Sequence, residues 1–231
     1  MTIETIIEKA TLDQRFETAR AFKKPRSLKR VLRMAERALV RAEQAIDHVT
    51  KALPPPAPIA CGPGCPYCCH IRLTASAPEV LLVLDHIRGT WPVDAIQALA
   101  KKVKNIDPLT RGKDDDARAK LRLPCPLLKD GSCSVHMVRP LSCRALACVD
   151  LPACKAAYNS RMAEGVPMFE PQHQTANAVG YGLYAGLVDA GYGVENIELV
   201  AALALGLDDK EIGRNWLTGE DVFAPACALT P

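Results

Sequence analysis

The chain has 231 residues, is 48% hydrophobic, carries a formal net charge of +3 and contains ten cysteines. That is enough apolar sequence for one good core in one or two domains, and the charge is too mild to demand a nucleic-acid partner. No apolar run reaches the length of a membrane span, and the N-terminus has acidic residues where a secretion signal needs a basic stretch and an apolar run, so a cytoplasmic protein with no membrane attachment is expected.

Residues 2–22 predict a helix, with Ile3, Ile6, Ile7, Ala10, Phe16, Ala19 and Phe22 recurring near helical spacing. Pro25 breaks it. Ser27 is placed to cap a second helix whose Leu28, Leu32, Ala35, Leu39, Ala42, Ile46, Val49 and Leu53 alternate four and three apart. Such a seam needs a partner helix, in an antiparallel hairpin or a homodimer. Arg26, Arg30, Arg33, Arg37 and Arg41 form a stripe along it, and residues 20–41 hold nine basic residues against the single acid Glu36. A solvated face is the plain explanation; the functional one is contact with phosphates, an acidic protein or an anionic surface, with a partner docking through residues 26–41. The absence of interleaved aromatics argues against nucleic acid.

Pro54, Pro55, Pro56 and Pro58 make a stiff spacer. The expected organisation is therefore a helical hairpin appendage (1–53), a proline-rich spacer (54–60) and a cysteine-cluster domain with C-terminal helices (61–231). The second part opens on Cys61, Cys65, Cys68 and Cys69, four thiols in nine residues, with Gly62, Pro63, Gly64 and Pro66 between them to let the backbone fold tightly. Cys125, Cys133, Cys143, Cys148 and Cys154 follow, so nine of the ten cysteines lie in two runs. In a reducing compartment this density points to metal rather than to disulfides. One tetrahedral zinc takes four ligands, whereas Cys61, Cys65, Cys68, Cys69, Cys125, Cys133, Cys143 and Cys148 supply eight. Either there are two centres or some of these thiols stand beside a centre without binding it.

Between the runs, Ser76-Ala-Pro-Glu79 is a capping box opening a buried helix, and a further helix is expected from Val93 to Ile106. Asp114, Asp115 and Asp116 sit in a charged stretch that suits a solvated loop or exposed helix better than a cation site. Cys125 to His136 predicts a short β-hairpin turning at Asp130-Gly131, with Cys125 and Cys133 on neighbouring strands, and Arg139-Pro140 then delivers Cys143. Arg139 and Arg144 are candidates to offset thiolate charge and donate to sulfur. Tyr67 and His136 are further candidate neighbours of the ligands; His136, three residues after Cys133, has the spacing of a ligand, His70 adjoins Cys69, and Cys154 is a spare ligand or a free thiol. Cys227 reads as a small buried apolar residue. Helices are expected from Gln172 to Ala190, its small residues allowing close approach, from Glu195 to Leu207, and from Asp208 to Leu217.

The cluster ending in Cys68-Cys69, followed by Cys125-Pro126, Leu128, Gly131, Cys133-Ser134, Arg139-Pro140 and Cys143-Arg144, resembles the YkgJ-like CxxCxxCC family of zinc- or iron-chelating proteins. The resemblance covers about residues 61–154 and implies a metal or cluster site without supplying a reaction. The spacing of Cys61, Cys65 and Cys68 is also similar to the three-cysteine signature of radical S-adenosylmethionine enzymes, but no βα alternation surrounds it. These features lead to the expectation of a mainly α protein with a small cysteine-rich metal-binding region. A Cys-ligated iron–sulfur cluster, of 4Fe-4S type, would serve electron transfer, redox sensing or metal handling with a redox or protein partner. Zinc is the alternative metal. Two alternative functions stay open: a zinc-stabilised interaction module, and an S-adenosylmethionine-dependent protein-modifying enzyme, since the resemblance extends to the cysteine region of flagellin lysine-N-methylases.

Overall fold

The computed structural model describes every residue except Met1, Lys24, Pro63, 162–164, 194–195 and 228–231. The described chain is mainly helical. Helix α1 (Ile3–Ala21) starts at Thr2, whose hydroxyl accepts from the Thr5 amide at 3.3 Å. Helix α2 (Leu28–Ala52) starts after Ser27, which has the extended backbone of a capping residue although its hydroxyl caps nothing. The buried face of α2 holds Val31, Met34, Ala35, Ala38, Leu39, Ala42, Ala45 and Val49. This face is broader than the heptad seam expected from the sequence, because α2 packs on α1, on α3 (Ala77–Thr90) and on α8 (Glu170–Asp189) at once. Leu53, counted in the seam, is 47% exposed. The hairpin expectation is met, and the seam offered for a second copy is filled within the chain.

The contact between α1 and α8 has a character that periodicity of apolar residues could not suggest. Buried on α1 are Ala10, Gln14 and Thr18, whereas Phe16 is 64% exposed. On α8, a Cβ at Gly182 would run into the Thr11 carbonyl oxygen, and one at Gly186 into the Thr18 side chain and the Arg15 carbonyl. Glycine is thus required at both positions for the backbones to approach. Gly180 on the same helix meets only Leu141 at 4.0 Å. The buried Gln14 amide donates to Thr18 Oγ1 at 2.9 Å and accepts from Arg41, so its polar atoms are satisfied. Arg15 grips Asp189 of α8 through two hydrogen bonds of 2.7 and 2.8 Å.

Helix α3 is the most deeply buried, with Val80, Val83, Leu84 and Ile87 fully enclosed. Its capping box forms: Glu79 accepts from the Ser76 amide at 2.9 Å and from the Ser76 hydroxyl at 2.6 Å. After α4 (Val93–Thr110), Asp114 caps α5 (Asp115–Leu121) by accepting from the Ala117 amide at 2.7 Å. The three aspartates thus open an exposed helix. The C-terminal part departs from expectation at two points: Ile197–Glu198 form a strand, β4, antiparallel to β1 (Thr74–Ala75), so helix α9 (Leu199–Asp208) begins only afterwards, and the last helix opens at Ile212 rather than Asp208. Glu195, the expected helix start, lies outside the described residues. Helix α10 (Ile212–Thr218) ends at Gly219, whose φ of 102° is the left-handed conformation glycine accepts. Buried residues of α1, α2, α3, α4, α8, α9 and α10 join one hydrophobic core, so the N-terminal hairpin shares its core with the part that follows the spacer. No helix among the described residues is long and apolar enough to cross a membrane.

Candidate metal centre

The first cysteine run is irregular chain tightened by one 3-10 turn, Tyr67–His70. Gly64 adopts φ of 87°, and the Cys65 amide donates to the Gly62 carbonyl at 3.1 Å. The second run opens on a hairpin of β2 (Leu128–Lys129) and β3 (Ser132–Cys133), turned by Asp130 and Gly131 at φ of 50° and 74°. Positive φ at both positions marks the turn whose twist suits a hairpin. A Cβ at Gly131 would press on Gly64 at 3.3 Å, so the hairpin tip rests on the first run glycine to glycine. Cys125 is not on a strand: Leu128 is the residue facing Cys133, and Cys125 precedes the ladder, its carbonyl accepting from the Leu128 amide at 3.0 Å. The predicted strand was too long by the width of Pro126, which has no amide to add to a ladder.

Backbone hydrogen bonds stitch the segments together. The Cys125 amide donates to the Cys69 carbonyl at 2.7 Å, and the Ala60 amide to the Cys148 carbonyl at 2.8 Å. The Cys148 amide donates to Cys61 Sγ at 3.1 Å. Helix α6 (Leu141–Ala145), which carries Cys143, is pinned to the start of α3: the Leu141 amide donates to Glu79 Oε1 at 2.7 Å and Ser142 Oγ to the Thr74 carbonyl at 2.6 Å. The buried Glu79 therefore joins the capping box to the second run. Helix α7 (Leu151–Asn159), capped by Asp150, brings in Cys154.

The thiols fall into two neighbouring groups. Cys61, Cys65, Cys148 and Cys154 sense one another's charge, and Cys154 shares a hydrogen bond with Cys148. Cys125, Cys133 and Cys143 form the other group. Cys68 stands between them, coupled to Cys61 and Cys65 on one side and to Cys133 and Cys143 on the other, and hydrogen-bonded to Cys69. The first group borders a cavity of about 270 Å³ lined by Cys61, Cys65, Cys68, Cys148 and Cys154 together with apolar side chains that include Leu146 and Met168. Cys154 is the member of this group that spacing left open; Cys148-x5-Cys154 on a helix start was its only signal. The nine cysteines of the two runs are free thiols. Among the described residues, no three His, Cys, Asp or Glu side chains converge tightly enough to hold an ion as they stand.

Electrostatics across both groups disfavour uncompensated thiolates. Burial pushes Cys61, Cys65 and Cys133 up, and Cys143 far up. Cys125 is pushed up to about 11 by burial. The Cys69 hydrogen bond raises Cys68, and burial followed by the Cys148 hydrogen bond raises Cys154. The cation set against them is Arg139, which lowers Cys68, Cys133 and Cys143 by its charge and whose buried Nε has no hydrogen-bond partner among the described residues. Arg144 serves structure first: it pairs with Glu43 and donates to the Arg139 carbonyl at 3.1 Å and the Met137 carbonyl at 2.7 Å. Arg118 was not singled out from the sequence. It is 1% exposed, donates to the His70 carbonyl at 3.0 Å and faces Cys125 and Glu198. An arginine in a charged, exposed-looking segment gave no sign of this.

Neither His136 nor His70 makes a hydrogen bond to a thiol among the described residues. His136 is exposed, and burial of its ring with the charges of Arg139 and Arg144 lowers its pKa; no cysteine contributes. His70 directs Nδ1 to the Pro66 carbonyl at 3.0 Å and packs on Tyr158 with ring centroids 4.8 Å apart. Tyr67 packs on the same Tyr158 at 5.6 Å and lines the cavity. Cys227 lies away from both groups, on a bridge with Ile197. Compared with known proteins, the chain matches no family model, no curated protein and no solved structure.

Proposed function

We propose that this protein holds Cys-ligated iron–sulfur centres and serves electron transfer, redox sensing or metal handling. The observation that carries the proposal is the assembly of thiols from three separate segments, 61–69, 125–143 and 148–154, into two neighbouring groups, one of them around an apolar cavity. The donors fit the group. They are soft sulfur ligands alone, which select iron–sulfur clusters, zinc or copper(I) over hard cations. Around a single zinc, four sulfurs at about 2.3 Å from the ion enclose no void. A cavity of about 270 Å³ bounded by five thiols suits a polynuclear centre, where inorganic sulfides fill the space between the ligands. Such a centre supplies one-electron redox chemistry when bound.

The chain's own residues have defined parts in this proposal. Cys61, Cys65, Cys148 and Cys154 provide one four-thiol set, and Cys68 or Cys69 completes Cys125, Cys133 and Cys143 as the second. Arg139 brings positive charge to the second set, and Arg118 does so at Cys125. Leu146, Val166 and Met168 give the first set an apolar wall on one side, while Cys61 stays exposed. Anaerobic purification followed by iron, zinc and acid-labile sulfide analysis tests this. Iron matched by sulfide, with Cys148→Ser/Cys154→Ser and Cys133→Ser/Cys143→Ser each removing about half of it, is the expected result. Colourless protein with tightly held zinc and no sulfide would overturn the iron–sulfur assignment and leave the thiols as a structural zinc scaffold.

A further inference from the structure

The arginine stripe of α2 is divided by the fold. Arg26 lies over the Tyr192 ring, 5.1 Å from its centroid, and Arg41 donates to Gln14, so both are spent on packing. Arg30, Arg33 and Arg37 instead join Arg20 of α1 around a separate cleft between the two helices, with a volume of about 380 Å³. Glu17 is the one acid in its lining, leaving an excess of three positive charges. Glu17 is shared between Arg20 at 3.1 Å and Arg37 at 3.8 Å. Arg33 has no hydrogen bond or ion pair among the described residues. Arg30 is anchored through one nitrogen to the carbonyls of Lys23 and Pro25, and its buried Nε has no partner among the described residues.

We propose that this cleft is a binding site for the diphosphate group of a small molecule. Four arginines lining one cleft repel each other, and the arrangement is relieved by a ligand with several acceptor oxygens and matching charge. Guanidinium forks pair with phosphate oxygens in bidentate fashion. A single phosphate monoester carries about −1.5 to −2 charge at neutral pH, short of the excess, whereas a diphosphate meets it. The apolar lining consists of Ala21 and Met34 with no aromatic ring. The cleft therefore recognises the phosphates and gives a nucleobase no stacking platform. The site is remote in function from the thiols and does not depend on what they hold.

The test is calorimetric titration of the full-length, metal-loaded protein with inorganic pyrophosphate at low ionic strength, with sulfate as the control anion. Saturable one-to-one binding is expected, weakened about tenfold by Arg33→Gln and again by Arg37→Gln, each the loss of a charge-assisted hydrogen bond. Both side chains are exposed, so the fold has little stake in them. Glu17→Gln must act in the opposite direction and tighten binding, since it removes the competing carboxylate. A Lys101→Gln/Lys104→Gln control on α4 leaves affinity unchanged. ADP binding as tightly as pyrophosphate, and displaced by it, would assign a nucleotide as source while keeping recognition in the diphosphate; ADP weaker than pyrophosphate would assign the free anion. Absence of saturable binding, sulfate binding equally well, or Glu17→Gln weakening binding like the arginine variants would overturn the proposal.

Discussion

The α1–α2–α8 side of the molecule and the cysteine side are held together by different means. The first consists of helices of 19, 25 and 20 residues whose buried faces interlock, closely enough that two glycines of α8 touch the backbone and side chains of α1. Its buried faces also join the common core with α3, α4, α9 and α10. The second is made of a four-residue 3-10 turn, two-residue strands and helices of five to nine residues, joined by single backbone hydrogen bonds at Cys69, Cys125 and Cys148. Elements this short do not stand alone, and a region with so little regular structure normally takes part of its stability from a metal or covalent link. The contrast teaches where a bound centre would matter for folding as well as for chemistry.

Removing the centre is accordingly the perturbation of largest expected effect. Structural thiolate sites can contribute on the order of 10 kcal/mol of binding free energy to the folded state. Under the proposed function, chelation of the loaded protein should expose the amides of Cys69, Cys125 and Cys148 to hydrogen exchange, and Cys133→Ser/Cys143→Ser those of Cys69 and Cys125, while α1, α2 and α8 stay protected. Mass-spectrometric exchange read segment by segment checks this. Equal protection of the cysteine side with and without metal would mean that the short elements suffice by themselves, and the comparison drawn above would fail.

The two sides were also unequally legible in the sequence. Helix positions on the first side followed from apolar spacing, and the Ser76–Glu79 box and the Asp130-Gly131 turn announced themselves because each depends on local chemistry. What escaped was non-local. Gln14 and Thr18 look like solvent-facing residues of an amphipathic helix, yet they are buried because Gly182 and Gly186, each 168 residues downstream of its partner, leave room for nothing else. Conversely Phe16 fits the apolar period and is exposed. On the second side the thiols advertised a centre by number, but their division into two groups depends on how 61–69 docks on 125–154. Spacing carries no information on that. Arg118 is the clearest case: its partners are a carbonyl 48 residues earlier and a carboxylate 80 residues later, so no window along the chain contains them.

A substitution confined to the first side sharpens the comparison. Gly186→Val sets branched carbon against Thr18 and the Arg15 carbonyl, where overpacking typically costs about 1–3 kcal/mol. Gly180→Ala, on the same helix with open space around it, should cost far less and serves as the matched control. Denaturant unfolding followed by circular dichroism measures both, and the Gly186→Val penalty should be the same in metal-free and metal-loaded protein. A penalty that depends on the metal would mean that the two sides unfold as one unit through their common core.

The smallest effect, and the one that separates the two states of the cysteine side most cleanly, is the pH dependence of stability. Burial pushes the Cys125 thiol from an ordinary 9.0 to about 11, and Cys143 shifts in the same direction. The metal-free native state therefore keeps these protons at pH values where the unfolded chain has released them. Stability from that source is complete below about pH 9 and is lost as pH rises through about 11, so the melting temperature of metal-free protein should fall by a few degrees across that window. Under the proposed function the ligating thiols of loaded protein would carry no proton, and this alkaline loss would disappear. Its weakness lies on the other side, because acid returns protons to the sulfurs and competes with the metal. Thermal melts of both forms across the alkaline window, with metal retention followed as pH is lowered, should thus give slopes of opposite sign. If metal-free and loaded protein instead weaken together above pH 9, the buried thiols are not the groups that bind the centre, and ligation belongs to the more exposed Cys61 and Cys65.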